Sequence, residues 1–182
     1  MKRIGYAQVE PNHLSARYTG QIYAQLPAMT ATTSGGTTTV TPIPQLENGQ
    51  FLRYNYAAGR ASVDGSGEWM LVFNEEKLYD ERRQNHKDFA MLAKDMADGL
   101  IYPRLLKTNI GDIFTTNTFA GAATGPDVTV TGPSLSVGTK LYVNASTGFL
   151  ATSGDTNGPQ FQVVKEYNLA DMQPAVKIQR IK

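Results

Sequence analysis

Ile101–Phe119 reads Ile-Tyr-Pro-Arg-Leu-Leu-Lys-Thr-Asn-Ile-Gly-Asp-Ile-Phe-Thr-Thr-Asn-Thr-Phe. It is rich in β-branched, aromatic and other apolar residues, which suit a pleated, half-buried surface. Gly111-Asp112 interrupts it, so the stretch reads as two strand segments hinged at that dipeptide. The chain before Gly99 reads as a long polar arm, a hairpin and one short helix. The chain after Phe119 reads as short strands separated by Gly, Asn, Asp and Pro. The hinged stretch therefore joins a front half to a compact β unit.

Working outward, the C-terminal side carries candidate strands at Asp127–Thr131, Lys140–Asn144, Gly148–Ala151, Phe161–Tyr167 and Val176–Ile181. Turn signals separate them at Gly132-Pro133, Asn144–Gly148 and Gly154–Pro159. Short, closely spaced strands with Gly-rich turns suggest a small β-barrel or sandwich over residues 101–182. Its expected core is Ile113, Phe114, Leu141, Val143, Phe149, Phe161 and Val163.

On the N-terminal side, Phe51, Arg53 and Asn55 alternate with Leu52, Tyr54 and Tyr56, a period of two. A Gly-rich turn region and the apolar run Trp69–Phe73 complete a long-looped hairpin, with Trp69 in its core. Residues 74–99 hold the one helical region. Phe89, Leu92 and Met96 share a helical face, Asn85 and Asp88 resemble a capping arrangement, and Gly99 is the stop. That face reads as core packing, not a ligand box. The fold class is thus mainly β with one short helix (α+β): an arm over 1–50, a hairpin and helix over 51–100, and the β unit over 101–182.

Residues 1–50 look unlike a domain. Ile4, Tyr6 and Val9, then Ile22, Tyr23 and Leu26, form short apolar clusters without sustained period. Thr30–Thr41 is low in complexity, and such a run buries too little apolar surface to offset its ordering entropy. It is expected to be disordered or to order on a partner. The partner-binding candidates on this arm are Tyr6, Val9, Ile22, Tyr23 and Leu26.

Only 18% of residues are charged and the net charge is +1, so nothing drives the chain in bulk towards nucleic acid. The short basic runs Arg82-Arg83 and Lys177–Lys182 read as solvated faces or partner contacts. Cysteine is absent, which excludes disulfides, thiol catalysis and thiolate zinc sites. No run reaches the length of an apolar membrane-spanning helix. The basic start has no apolar core behind it and reads as no signal peptide.

Catalytic patterns are weak. His13 and His86 are the two histidines, each without a ligand-like partner at useful spacing. No Gly-x-Ser-x-Gly elbow is present. Glu75-Glu76 and Asp80-Glu81 sit among Lys77, Arg82 and Arg83, where a salt-bridged surface explains them better than glycoside chemistry. Gly132–Lys140 lacks the residue order of a phosphate loop. Asp155–Gly158 starts like a calcium loop but lacks the later acidic ligand, so it reads as a turn. Asn144-Ala145-Ser146 matches a glycosylation sequon in form only. The expectation is a scaffold, not an enzyme, with no cofactor and no metal.

The run Tyr102–Asn117 resembles small virion structural proteins of tailed bacteriophages. Val137-Gly138-Thr139-Lys140-Leu141-Tyr142-Val143, with Thr147-Gly148-Phe149-Leu150 after it, is similar to a strand-turn-strand of phage capsid decoration (cement) proteins. The closing strands Phe161–Lys165 and Ala175–Arg180 fit the same pattern. This resemblance spans about residues 100–182. It implies a β-rich protein on the outside of a capsid, clamping major capsid subunits, with no nucleic acid or membrane partner. Self-association as a trimer or other homo-oligomer, assembly in the host cytoplasm and residence in the virion belong to the same reading. An arm that adds a strand to a sheet edge, repeated over many copies, would supply avidity. Two other classes stay open: a head–tail connector or tail component, and a carbohydrate-binding adhesion module using Tyr142, Phe149 and Tyr167.

Overall fold

The computed structural model describes Val9 and residues 21–73, 91–119, 135–168 and 174–182. Among these the protein is mainly β with essentially no helix. Fourteen strands form antiparallel sheets, two of them five-stranded.

The front sheet has the order β1(Gln21–Tyr23), β9(Leu105–Lys107), β7(Glu68–Val72), β5(Phe51–Asn55), β6(Arg60–Ser62). The expected hairpin is present as the β5–β7 pair, with Phe51 opposite Leu71 and Arg53 opposite Trp69. The long loop between them contributes β6, which pairs with the other side of β5. The alternating strand is present, and apolar residues on both of its faces are covered. Phe51, Trp69, Leu71 and Leu106 pack into one core cluster, while Leu52, Tyr54, Met70, Val72 and Leu105 pack into a second. Strands covered on both sides need apolar residues at successive positions, as Trp69–Val72 supplies.

The second sheet has the order β10(Ile113–Thr116), β14(Pro174–Arg180), β13(Gln160–Asn168), β11(Lys140–Val143), β12(Leu150–Ala151). It is a curled half-barrel. One cause is a bulge: Val163 faces Ile178 but Lys165 faces Lys177, leaving Val164 as the extra residue. A bulge bends its strand and increases the local twist. The curl brings the chain beyond β10 towards the far edge. Phe119 bridges Leu150, and the Leu150 N–H donates to the Thr118 carbonyl at 3.2 Å. Of the expected core residues, Phe114, Leu141, Val143, Phe161 and Val163 are buried, whereas Ile113 and Phe149 are half-buried.

The hinge falls where Gly111 stands, between β9 of one sheet and β10 of the other. Gly111 has φ 98°, a backbone state that L side chains rarely adopt. Asp112 stabilises the turn by accepting the Asn109 N–H at 2.7 Å. The Arg180 N–H donates to the Asp112 carbonyl at 2.9 Å, and the Gly111 N–H to the Arg180 carbonyl at 2.8 Å. The Arg180 guanidinium reaches back to the Thr108 carbonyl and hydroxyl. The two sheets share one core, in which Phe161 lies 5.3 Å from Phe51 of the front sheet and 5.7 Å from Phe114.

Two two-stranded ribbons complete the fold. β4(Gln45–Leu46) pairs with β8(Met91–Leu92) and sets the buried Leu46 over the second face of the front sheet, beside Ala28 and Ile101. This corrects the helix expectation. Leu92 lies in a strand, and only a 3-10 turn, Ala93–Asp95, separates it from Met96. The Ala93 N–H donates to the Pro44 carbonyl at 3.0 Å, so tertiary pairing overrides the helical spacing. Phe89, Asn85 and Asp88 lie outside the described residues.

The other ribbon corrects the expectation of disorder. β2(Met29–Ser34) and β3(Thr37–Pro42) pair residue for residue from Met29–Pro42 to Ser34–Thr37. Gly35 and Gly36 close the hairpin with φ 56° and 80°, the two left-handed positions of the tight turn that matches strand twist. Threonine's branched Cβ favours the extended backbone, a preference that composition alone does not register.

Candidate functional site

The β2–β3 ribbon is the part of the described molecule least absorbed into a core. Residues 18–46 carry no charged side chain. Paired residues in an antiparallel ladder share a face, so Thr30, Thr41, Thr32, Thr39, Ser34 and Thr37 present six hydroxyls on one side. Met29, Pro42, Ala31, Val40, Thr33 and Thr38 form the other, apolar at its base. Every residue of β3 is exposed, Val40 by 41%. The Thr33 and Thr38 hydroxyls meet at 2.9 Å across the strands.

The ribbon is fixed to the body at its base. Ala28 bridges Ala61 of β6, and its N–H donates to the Ile101 carbonyl at 2.7 Å. The Ala31 N–H reaches Asp64 Oδ1 at 3.3 Å. Asp64 is itself held by Arg60 at 3.2 Å. Pro42 and Pro44 flank the return to β4, and the Ile43 N–H donates to the Ala28 carbonyl at 3.0 Å.

The arm candidates divide. Val9 is buried at 4% exposure, bridges Thr116 at the edge of β10 and belongs to the chain's own core. Tyr23 is half-buried, its ring 5.2 Å from that of Tyr54. Leu26 packs against the second core cluster. Ile22 is the surface member, 51% exposed on strand β1. Tyr6 lies outside the described residues, as do His13, His86 and the pairs Glu75-Glu76 and Asp80-Glu81. Of the carbohydrate candidates, Tyr142 and Phe149 are half-buried. The side chain of Tyr167 lies outside the described residues; among those described, the exposed aromatics are Tyr56 and Tyr102, at 65% and 46%.

The best-connected polar group is Asp155, in the turn read from Asp155–Gly158. One carboxylate oxygen accepts the Trp69 indole N–H and the Arg53 guanidinium, both at 2.9 Å. The other accepts the backbone N–H groups of Asn157 and Gly158 at 3.0 and 3.2 Å. The Trp69 hydrogen bond first, then these backbone donors and the Arg53 charge, hold the Asp155 carboxyl below its ordinary range against the opposing effect of burial. Arg53 also lies 4.3 Å from the Trp69 ring centre, within cation–π range. These contacts tie the front sheet to the loop after β12. Both carboxylate oxygens are engaged, which describes a structural clasp and not a poised acid or base.

Glu47, Asn48 and Thr115–Thr118 are buried polar residues. Thr118 Oγ1 donates to the Asn48 carbonyl at 3.0 Å and accepts from Thr116 Oγ1 at 2.9 Å. Among the described residues no group of three His, Cys, Asp or Glu converges as a metal site. No protein-family model, curated protein or solved structure matches the chain.

Sequence reasoning missed the ribbon as a surface. The available signals were the Gly35-Gly36 dipeptide between two threonine runs and the uncharged span around them.

Proposed function

We propose that this chain is a structural virion protein that binds the outer surface of a phage capsid and stabilises contacts between major capsid subunits, as decoration or cement proteins do. The observation that carries the reading is the uncharged ribbon, exposed on both faces and fixed at its base to a doubly buried sheet. A two-stranded ribbon alone is marginal in water, so a rigid body that presents one is suited to laying its uncharged faces against a partner surface. Ile22 on β1 adds an apolar contact beside the arm that precedes it. The C-terminal unit is read as a small barrel or sandwich: the half-barrel sheet supplies its wall, and the Phe119–Leu150 bridge supports closure. The resemblance over residues 100–182 points the same way.

Co-sedimentation with assembled capsids of the cognate major capsid protein tests this. The full chain is expected to saturate on the shells and to raise the temperature at which they rupture. Val40→Asp together with Ile22→Asp should remove binding while the protein stays folded. Deleting residues 1–8, which spares the buried Val9, isolates the arm's share. Full-length protein that does not sediment with shells would contradict the proposal. A stable ring in solution that binds only the portal end would favour a connector.

A further inference from the structure

β3 has an open edge, and its chemistry fits one occupant. Among the described residues β3 pairs only with β2. Exposed strand edges are commonly blunted by lysine, proline or bulges. From Thr37 to Thr41 none is present, and the ladder with β2 has no register shift. The outer side of β2 is different, because its base is engaged by Ala61 and by Asp64. Among the described residues β3 is therefore the edge left open along its whole length, whereas β2 is held at its base.

We propose that this edge pairs antiparallel with β3 of a second copy of this chain, centred on Thr39, to form a closed two-fold dimer through a four-stranded ribbon. The sequence Thr37-Thr38-Thr39-Val40-Thr41 is self-complementary in that register. Thr39 meets Thr39, Thr37 meets Thr41, and Thr38 meets Val40. Because registry by even steps preserves the faces, the hydroxyl face of one ribbon continues into that of the other. Val40 likewise stays on the side that holds Ala31 and Met29. No charge lies on either ribbon, so two copies meet without repulsion and without stripping water from an ion. Doubling the strand number relieves the marginality of a lone ribbon. Pairing β3 with β3 about a two-fold uses the same edge of both copies, so the contact is isologous and closes at two, while the held base of β2 leaves that side less open to further strands. This inference goes beyond the capsid reading and does not rest on it: the edge joins copies, while the faces and Ile22 remain for a shell.

The test is sedimentation velocity of the full chain up to about 1 mM, a range that reaches weak specific association. Three samples are compared: the unaltered chain, Thr39→Lys alone, and an equimolar mixture of Thr39→Lys and Thr39→Glu. The unaltered chain is expected to show a concentration-dependent dimer. Thr39→Lys places like charges across the two-fold and should weaken it by about ten-fold or more. The mixture should restore the dimer at low salt, a recovery that misfolding cannot produce. A chain that stays monomeric throughout overturns the proposal. So does a dimer that Thr39→Lys leaves unchanged, a mixture that stays monomeric, or an open-ended polymer.

Discussion

The β2–β3 ribbon and the β5–β7 pair are both antiparallel, both uninterrupted and both flanked by glycine, yet their surroundings are opposite. β5–β7 is covered on two faces, with Phe51, Leu52, Leu71 and Val72 fully buried. The ribbon is open on two faces and no residue of β3 is covered. The first pair is held by its core, each large side chain contributing about 1.5–3 kcal/mol through burial. The second is held by its tight turn, its branched side chains and the clasp at its base. A strand can thus be specified either by what covers it or by backbone preference with an anchored base. The second kind keeps its surface for something else.

The sharpest way to break this comparison is to remove a ring from the shared core. Phe161→Ala deletes the group that touches both Phe51 and Phe114 and should cost about 3–5 kcal/mol, a large part of an ordinary domain's stability. Urea unfolding monitored by Trp69 fluorescence reads the loss, and a cost under about 1 kcal/mol would dissolve the distinction between core and ribbon. Gly148→Ala comes next. Gly148 has φ 74°, and an added Cβ would strike the Phe51 carbonyl. The same junction holds the Phe51 N–H, which donates to the Gly148 carbonyl at 2.7 Å. A loss of about 1–3 kcal/mol from backbone strain, plus the steric displacement, is expected in the same assay.

The clasp between the sheets gives a smaller, pH-dependent effect. Because the Asp155 carboxyl is held below its ordinary value, its stabilisation is fully present above the unfolded carboxylate range and is lost as pH falls through the folded value. Unfolding midpoints measured downward from neutral pH should fall on the acid limb below about pH 4, where an unperturbed Asp takes up its proton. Asp155→Ala should flatten that limb and cost roughly 1–3 kcal/mol at neutral pH, since Trp69 and Arg53 lose a shared acceptor. An unchanged limb would remove the clasp from the account. The smallest effect belongs to the ribbon: Val40→Ala should stay within about 0.5 kcal/mol, where the same change at Val72 should cost several times more.

The frame of the fold was legible in the sequence where apolar content and turn chemistry agreed. Gly111-Asp112 marked the passage from one sheet to the other, Trp69 its burial, and the runs at Lys140, Phe161 and Val176 their strands. The turn at Asp155 was legible too, though not that Arg53 and Trp69 would converge on it. Arg53 and Asn55 alternate with the apolar residues of β5, and only the fold reveals that Asp155 closes over Arg53. The helix at Leu92 and Met96 failed because a spacing of four is also met by a strand leading into a 3-10 turn. The ribbon failed for a different reason: composition measured what Thr30–Thr41 could bury, while its order comes from β-branching and two glycines. Val9 was unreadable as core, since a single apolar residue in a polar stretch carries no period.

The most direct measurement is hydrogen exchange by mass spectrometry on dilute free protein and on protein bound to assembled capsids. Amides of Met29–Pro42 should exchange far faster than those of β5 and β7 in the free chain, and become protected on the shell. A ribbon as protected alone as the core strands, and unchanged by capsids, would contradict the claim that it is a docking element completed by a partner.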